Sequence, residues 1–142
     1  MKVIIGLFAF TCFCGLAACA QDLKESQVPS KVKMAFSKEY PHILAKWEKE
    51  GKDYEVNFKK DGKSMSLVID NMGSITETET DITIAELPTP VAGYVKQHYK
   101  GGKITEASKI VDAKGTPTYE ARVKGKDVIF DANGKFLKEA KG

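Results

Sequence analysis

From residue 43 onward, apolar and polar positions alternate with a period of two in short runs separated by turn residues. Tyr54, Val56 and Phe58 alternate with Glu55, Asn57 and Lys59, the pattern of a half-buried strand. Runs of this kind predict strands near 43–50, 54–60, 63–70 and 74–80, and again near 103–112, 117–124, 126–131 and 135–140. Gly51, Asp61-Gly62, Gly115 and Gly125 mark the intervening turns. Ahead of each set of strands the period lengthens. Val32/Phe36 and Val91/Val95 stand four apart, as on one face of a helix. Ser30 and Thr89 occupy N-cap positions, and Pro90 suits a first helical turn.

The two sets are alike in sequence as well as in order. Residues 22–40 laid over 81–99 without a gap match Asp22, Pro29, Val32 and Tyr40 with Asp81, Pro88, Val91 and Tyr99. Further on, "YEVNFKKDGKSMSLVIDNMGSI" (54–75) echoes "YEARVKGKDVIFDANGKF" (119–136). The expected organisation is therefore a tandem repeat, each unit a short helix followed by four strands, spanning 22–82 and 83–142. A unit of that size buries only about 60% of its extended surface. The two should share an interface, as one continuous sheet or two abutting ones, with helices on one face and the other left open.

Residues 1–20 differ in kind. "MKVIIGLFAFTCFCGLAACA" is one lysine followed by an apolar run ending in small residues, the form of a secretory signal peptide. It is too short, and too near the charged "QDLKESQ", for a stable membrane span. Leu16–Cys19 fits a lipobox, with Cys19 as the lipidation candidate and a leader of 1–18. Ala18-Cys19-Ala20 also fits ordinary cleavage before Gln21, giving a leader of 1–20. Either way the protein is expected to be exported, as a periplasmic protein or a membrane-anchored lipoprotein of a Gram-negative-type envelope. Membrane contact is expected only through an anchor at Cys19.

Composition narrows the chemistry. The three cysteines, Cys12, Cys14 and Cys19, all lie in the leader. The mature chain thus offers no internal disulfide, thiol nucleophile or cysteine-ligated metal. Net charge is +3, but the 22 basic residues include a single arginine, Arg122, interspersed with acids. Nucleic-acid readers rely on arginine forks, so nucleic acid is not an expected partner. His42 and His98 follow the two helical segments outside any HExxH pattern. A histidine there is more often a helix-dipole partner than a ligand. No nucleotide-binding glycine loop and no G-x-S-x-G elbow occurs.

Two acidic stretches invite a cation reading. Asp131-Ala-Asn-Gly begins like a calcium loop, but the fifth position is Lys135 and the twelfth is Gly142, where an EF-hand needs oxygen ligands. Asp first and Gly fourth, shared with Asp70-Asn-Met-Gly73, instead fit a hairpin turn used twice. In "ETETD" (77–81), alternation lines up Glu77, Glu79 and Asp81, as expected of a solvated sheet edge that discourages pairing.

These segments resemble the PepSY-like, beta-lactamase-inhibitor-like proteins. The resemblance spans about 22–142 and is carried most specifically by Tyr54-Glu55 and Tyr119-Glu120, "ITETET" and "FDANGKF". It implies exported envelope proteins of the α+β class, a tandem repeat in which each unit packs a short helix on a four-stranded antiparallel sheet, and it carries over no enzymatic residue and no cofactor. The expected function is a non-catalytic binding or inhibitor-like module that docks an envelope protein through the open sheet face. The competing reading is a periplasmic binder of a small ligand or cation; a hydrolase would need a nucleophile–base pair that the chain does not display. The candidate docking residues are Glu55, Asn57 and Lys59 in one half and Glu120, Arg122 and Lys124 in the other, a mixed-charge set suited to a wet contact. Trp47, the only tryptophan, either packs under a helix or anchors the partner.

Overall fold

The computed structural model describes residues 21–141; the expected signal peptide, 1–20, and the lipidation candidate Cys19 lie outside them. The order along the chain is β1 (Gln21–Leu23), α1 (Ser30–Glu39), β2 (Ala45–Glu50), β3 (Asp53–Lys60), β4 (Lys63–Ile69), β5 (Ile75–Ile82), α2 (Pro90–His98), β6 (Ile104–Asp112), β7 (Pro117–Val123), β8 (Lys126–Asp131) and β9 (Phe136–Lys141). Short 3-10 turns, Glu25–Gln27 and Ile84–Glu86, precede the helices. All nine strands join one antiparallel sheet whose spatial order is the chain order.

Each helix brings its own core. Val32 and Phe36 of α1 pack with Val28, Trp47, Val56, Phe58, Leu67 and Ile69. Val91 and Val95 of α2 pack with Ala121, Val123, Val128 and Phe130. Alternation puts all these sheet residues on one face, because cross-strand partners share a face: Trp47 opposes Val56, which opposes Leu67. Between the two cores, the same face at β5 and β6 carries Thr80 opposite Lys109.

The hairpin turn proves to be used three times, not twice. In 70–74, 112–116 and 131–135, an aspartate Oδ1 accepts hydrogen bonds from the backbone N–H groups two and four residues on, at 2.8–2.9 Å. The fourth residue is Gly73, Gly115 or Gly134, with φ of 88°, 81° and 80°, the left-handed region that glycine enters without a Cβ clash. The Asp131 carboxylate is thus committed to its own turn.

Two helix-start expectations change. Ser30 is already inside α1, and the Pro29 carbonyl accepts from Val32 and Lys33 at 3.0 and 3.1 Å. Thr89 stands at the N-cap but in helical conformation, without a side-chain cap bond. Strand β1 was unforeseen, and so was the central place of β5. With β4 on one side and β6 on the other, "ETETD" is no edge.

Candidate functional site

The face opposite the helices collects the chain's acids. One cross-strand row runs Asp22–Glu48–Glu55–Val68–Glu77–Asp112 from β1 to β6. The next runs Lys46–Asn57–Ser66–Glu79–Ile110. Beyond it lies Asp81–Ser108–Glu120–Ile129–Lys138, and Arg122 pairs in register with Glu106 and Asp127. Asp22 with Glu48, Glu48 with Glu55, and Glu77 with Asp112 are like charges directly opposite, an arrangement that destabilises a sheet.

This face is concave. Glu77 on β5 interacts electrostatically with Glu50 on β2 and with Lys138 on β9. Spacing of 4.7–4.9 Å per strand would hold those elements about 14 and 19 Å away in a flat sheet. Curling explains why Glu55, Ser66, Glu79, Ser108 and Asp127 are buried with no helix above them. The wet, mixed-charge face expected from the sequence is instead a recessed carboxylate bowl.

Burial governs its electrostatics. Loss of water pushes Glu55 up to about 8, reinforced by Glu50 and Glu48. It pushes Glu79 up to about 9 despite the Ser108 hydroxyl beside it, which favours the charged form. Glu120 rises to about 7 through burial and the nearby Asp127, with Arg122 opposing. Glu48, Glu77 and Asp81 are raised as well, burial again first. Each reflects the cost of holding a charged carboxylate away from water.

One ion pair is built into the bowl. Arg122 Nε donates to Asp127 Oδ1 at 2.8 Å and a terminal nitrogen donates to Oδ2 at 3.2 Å, a two-pronged contact with Glu106 close by at 3.4 Å. Glu55 differs: both carboxylate oxygens are buried without a hydrogen-bond partner. The Asn57 amide favours its charged form but falls short of a hydrogen bond to either oxygen.

Of the candidate docking residues, Glu55, Asn57, Lys59, Glu120 and Arg122 share this face. Two do not. Trp47 is 6% exposed and sits edge-on to Phe36 on the helix side, centroids 5.5 Å apart. It is core, because in β2 the alternation pairs it with Ala45 against Lys46 and Glu48. Lys124 lies in the β7–β8 turn with φ of 52°, and its ammonium donates to the Lys100 carbonyl beyond α2. The alternation that should have carried it to the concave face ends at Val123. Glu48, Glu77, Glu79 and Asp127 belong to the bowl and were not among the candidates, though their alternate spacing with the chosen residues was there to find.

The histidines take no part. His98 stacks on Tyr94 in α2 at 4.0 Å, and His42 is exposed in the loop after α1. Among the described residues, no three His, Cys, Asp or Glu side chains converge to hold a metal ion. An open groove of about 410 Å³ runs along α2 beside Val95, Tyr99 and Ile104, away from the carboxylates.

Known proteins place the fold in context. The chain is similar to a protein of Bacteroides eggerthii described as a "putative periplasmic" protein, at 18% identity over 79% of this chain and 87% of that one, with a TM-score of 0.71. It is also similar to a BLIP-like protein of Bacteroides fragilis, at 24% identity over 78% and 84%, with a TM-score of 0.63. No curated protein sequence matches it. A family model matches residues 17–77 and 70–138. The chain belongs to the family described as "Putative beta-lactamase-inhibitor-like, PepSY-like".

Proposed function

We propose that this chain is a non-catalytic, exported binding module of the cell envelope that docks a protein partner in the concave, helix-free face of its sheet. The observation that carries the reading is the buried carboxylate bowl. Opposed acids and desolvated carboxyls weaken the fold and serve no packing need, and residues that break structural rules at their own cost mark functional surfaces. Family membership supports a binding role, since this family is named for its likeness to a protein inhibitor. The two helix-plus-four-strand halves are read as a tandem repeat, which builds a face wide enough for a protein contact.

Export rests on the apolar leader, 1–20, and is in keeping with the periplasmic description of the Bacteroides eggerthii relative. Acylation of Cys19 would hold the bowl near a membrane. Among the described residues no three acidic side chains converge as metal ligands, which favours a protein contact over a metal ion.

The test is site-specific photo-crosslinking in cells. Cross-linkers at the exposed concave-side positions Lys59 and Glu106 are expected to trap a partner, and those at Lys38 and Lys96 on the helices are not. Adducts confined to the helix positions would overturn the reading.

A further inference from the structure

Glu55 is the most anomalous group in the bowl. It is 1% exposed, and neither carboxylate oxygen has a partner. A buried polar group left unpaired costs roughly 1–3 kcal/mol. The fold does not require a carboxyl there, since the next position in the same row is Val68. Glu55 interacts with Glu48 and Glu50 from β2, Glu77 from β5 and Asn57 from its own strand, while the lysines of this face act on its neighbours, Lys46 on Glu48 and Lys138 on Glu77. The bowl's arginine is committed elsewhere, to Asp127 and Glu106.

We propose that the Glu48–Glu55–Glu77 row is a slot for an arginine side chain of the partner, which meets the half-buried Glu48 and Glu77 first and gains Glu55 as an acceptor when that side chain turns outward. The inference rests on the concave-face reading and names the partner's chemistry. Geometry selects the guanidinium. Glu48 and Glu55 are direct cross-strand neighbours, which puts their Cβ atoms about 4.5–5.5 Å apart. A planar fork of five donors can bridge two carboxylates so placed. A bare calcium ion would need six to eight oxygens drawn together at about 2.3–2.6 Å, and no three acidic side chains meet that way among the described residues. An apolar partner segment would leave Glu55 unpaired in a still drier site.

An octa-arginine peptide serves as the probe, titrated into the labelled mature chain while amide NMR shifts are followed, beside octa-lysine and calcium chloride. Shifts are expected to concentrate at residues 48, 55 and 77. Glu48→Gln/Glu55→Gln should weaken binding about tenfold or more, and Glu25→Gln/Glu39→Gln, which removes two exposed acids elsewhere, should not. Both changes are isosteric, and melting curves check that each variant is folded. Equal weakening by the two pairs, shifts spread over all acidic positions, or a response of the row to calcium in place of the peptide would overturn the slot. Cross-linking separates the two readings. If adducts at Lys59 and Glu106 persist undiminished in Glu48→Gln/Glu55→Gln, the arginine slot fails and the docking face stands. If adducts form only on the helices, both fail.

Discussion

Glu48 and Glu55 face each other directly across β2 and β3, two carboxyls in register on a face that curls away from water. Burial raises both above the ordinary carboxylate range, so the native state retains protons that the unfolded chain releases. When the folded pKa lies above the unfolded one, stability falls as pH rises between the two. For Glu55, Glu79 and Glu120 that window runs from about 4.5 up to about 8, 9 and 7. Within it each such group lowers stability as pH rises. The turn carboxylates Asp70 and Asp112 act oppositely, because amide hydrogen bonds lower their pKa values and their contribution is lost in acid. Melting temperature is therefore expected to peak near pH 5 and decline toward pH 9. Glu55→Gln should flatten the decline and exceed wild type at pH 8.5. A melting temperature that climbs steadily across this range would mean the bowl carboxyls are ionised and paired.

The three Asp-x-x-Gly turns share a backbone but differ in their surroundings, which makes them an internal comparison. A Cβ on Gly73 would meet the Lys31 carbonyl oxygen at 2.9 Å, and one on Gly134 would meet Pro88 and Pro90 at 3.0 and 3.1 Å. At Gly115 nothing lies within 4 Å. Gly115→Ala should cost only the strain of positive φ, about 1 kcal/mol. Gly73→Ala and Gly134→Ala should cost clearly more, because each turn tip is wedged against the start of a helix. Denaturant midpoints of the three variants check the order; equal losses would mean that close approach to the helices contributes nothing.

Trp47 closes the first core beneath α1. Truncating a buried aromatic typically costs about 3–5 kcal/mol, so Trp47→Ala should destabilise strongly, whereas Trp47→Phe should retain most of the edge-on contact with Phe36. Partner capture by a folded Trp47→Phe chain should be unchanged. A large loss of capture at unchanged stability would return Trp47 to the interface.

How far these features were legible follows from what alternation encodes. Period-two patterning located eight strands to within about two residues, because a half-buried strand must alternate whatever its neighbours are. It missed β1, since three residues, Gln21–Leu23, are too few to show a period. Alternation also assigns faces correctly, and on that rule alone Trp47 belonged opposite Lys46 and Glu48; the charged neighbours obscured it. Strand order is a different matter. Alternation gives "ETETD" the right face but reads it as an edge, because nothing local to residues 77–81 says that β6 pairs outside β5. Curvature is less local still. The burial of Glu55 goes with a curl that brings Glu77, two strands away, within its electrostatic reach, and no spacing within β3 records that.

Arg122 shows why the location of a charge must be known before it is used as a probe. The sequence makes it a docking candidate on the open sheet face. In the fold its fork holds Asp127, a carboxylate only 3% exposed. Removing one partner of such a pair leaves a buried charge uncompensated, at a cost of about 3–5 kcal/mol. Arg122→Glu would add a second acid beside Asp127, Glu106 and Glu120, all of which interact with that guanidinium, and is expected to unfold the second half of the sheet. Arg122→Ala should lose about 3 kcal/mol or more. Arg122→Ala/Asp127→Ala should recover part of that loss, because neither charge is then stranded. Urea melts of the two single alanine variants and the double variant measure the coupling. A coupling near zero would mean the pair is solvated, Arg122 free to serve a partner, and the bowl at β7 and β8 more open than its buried Asp127 indicates.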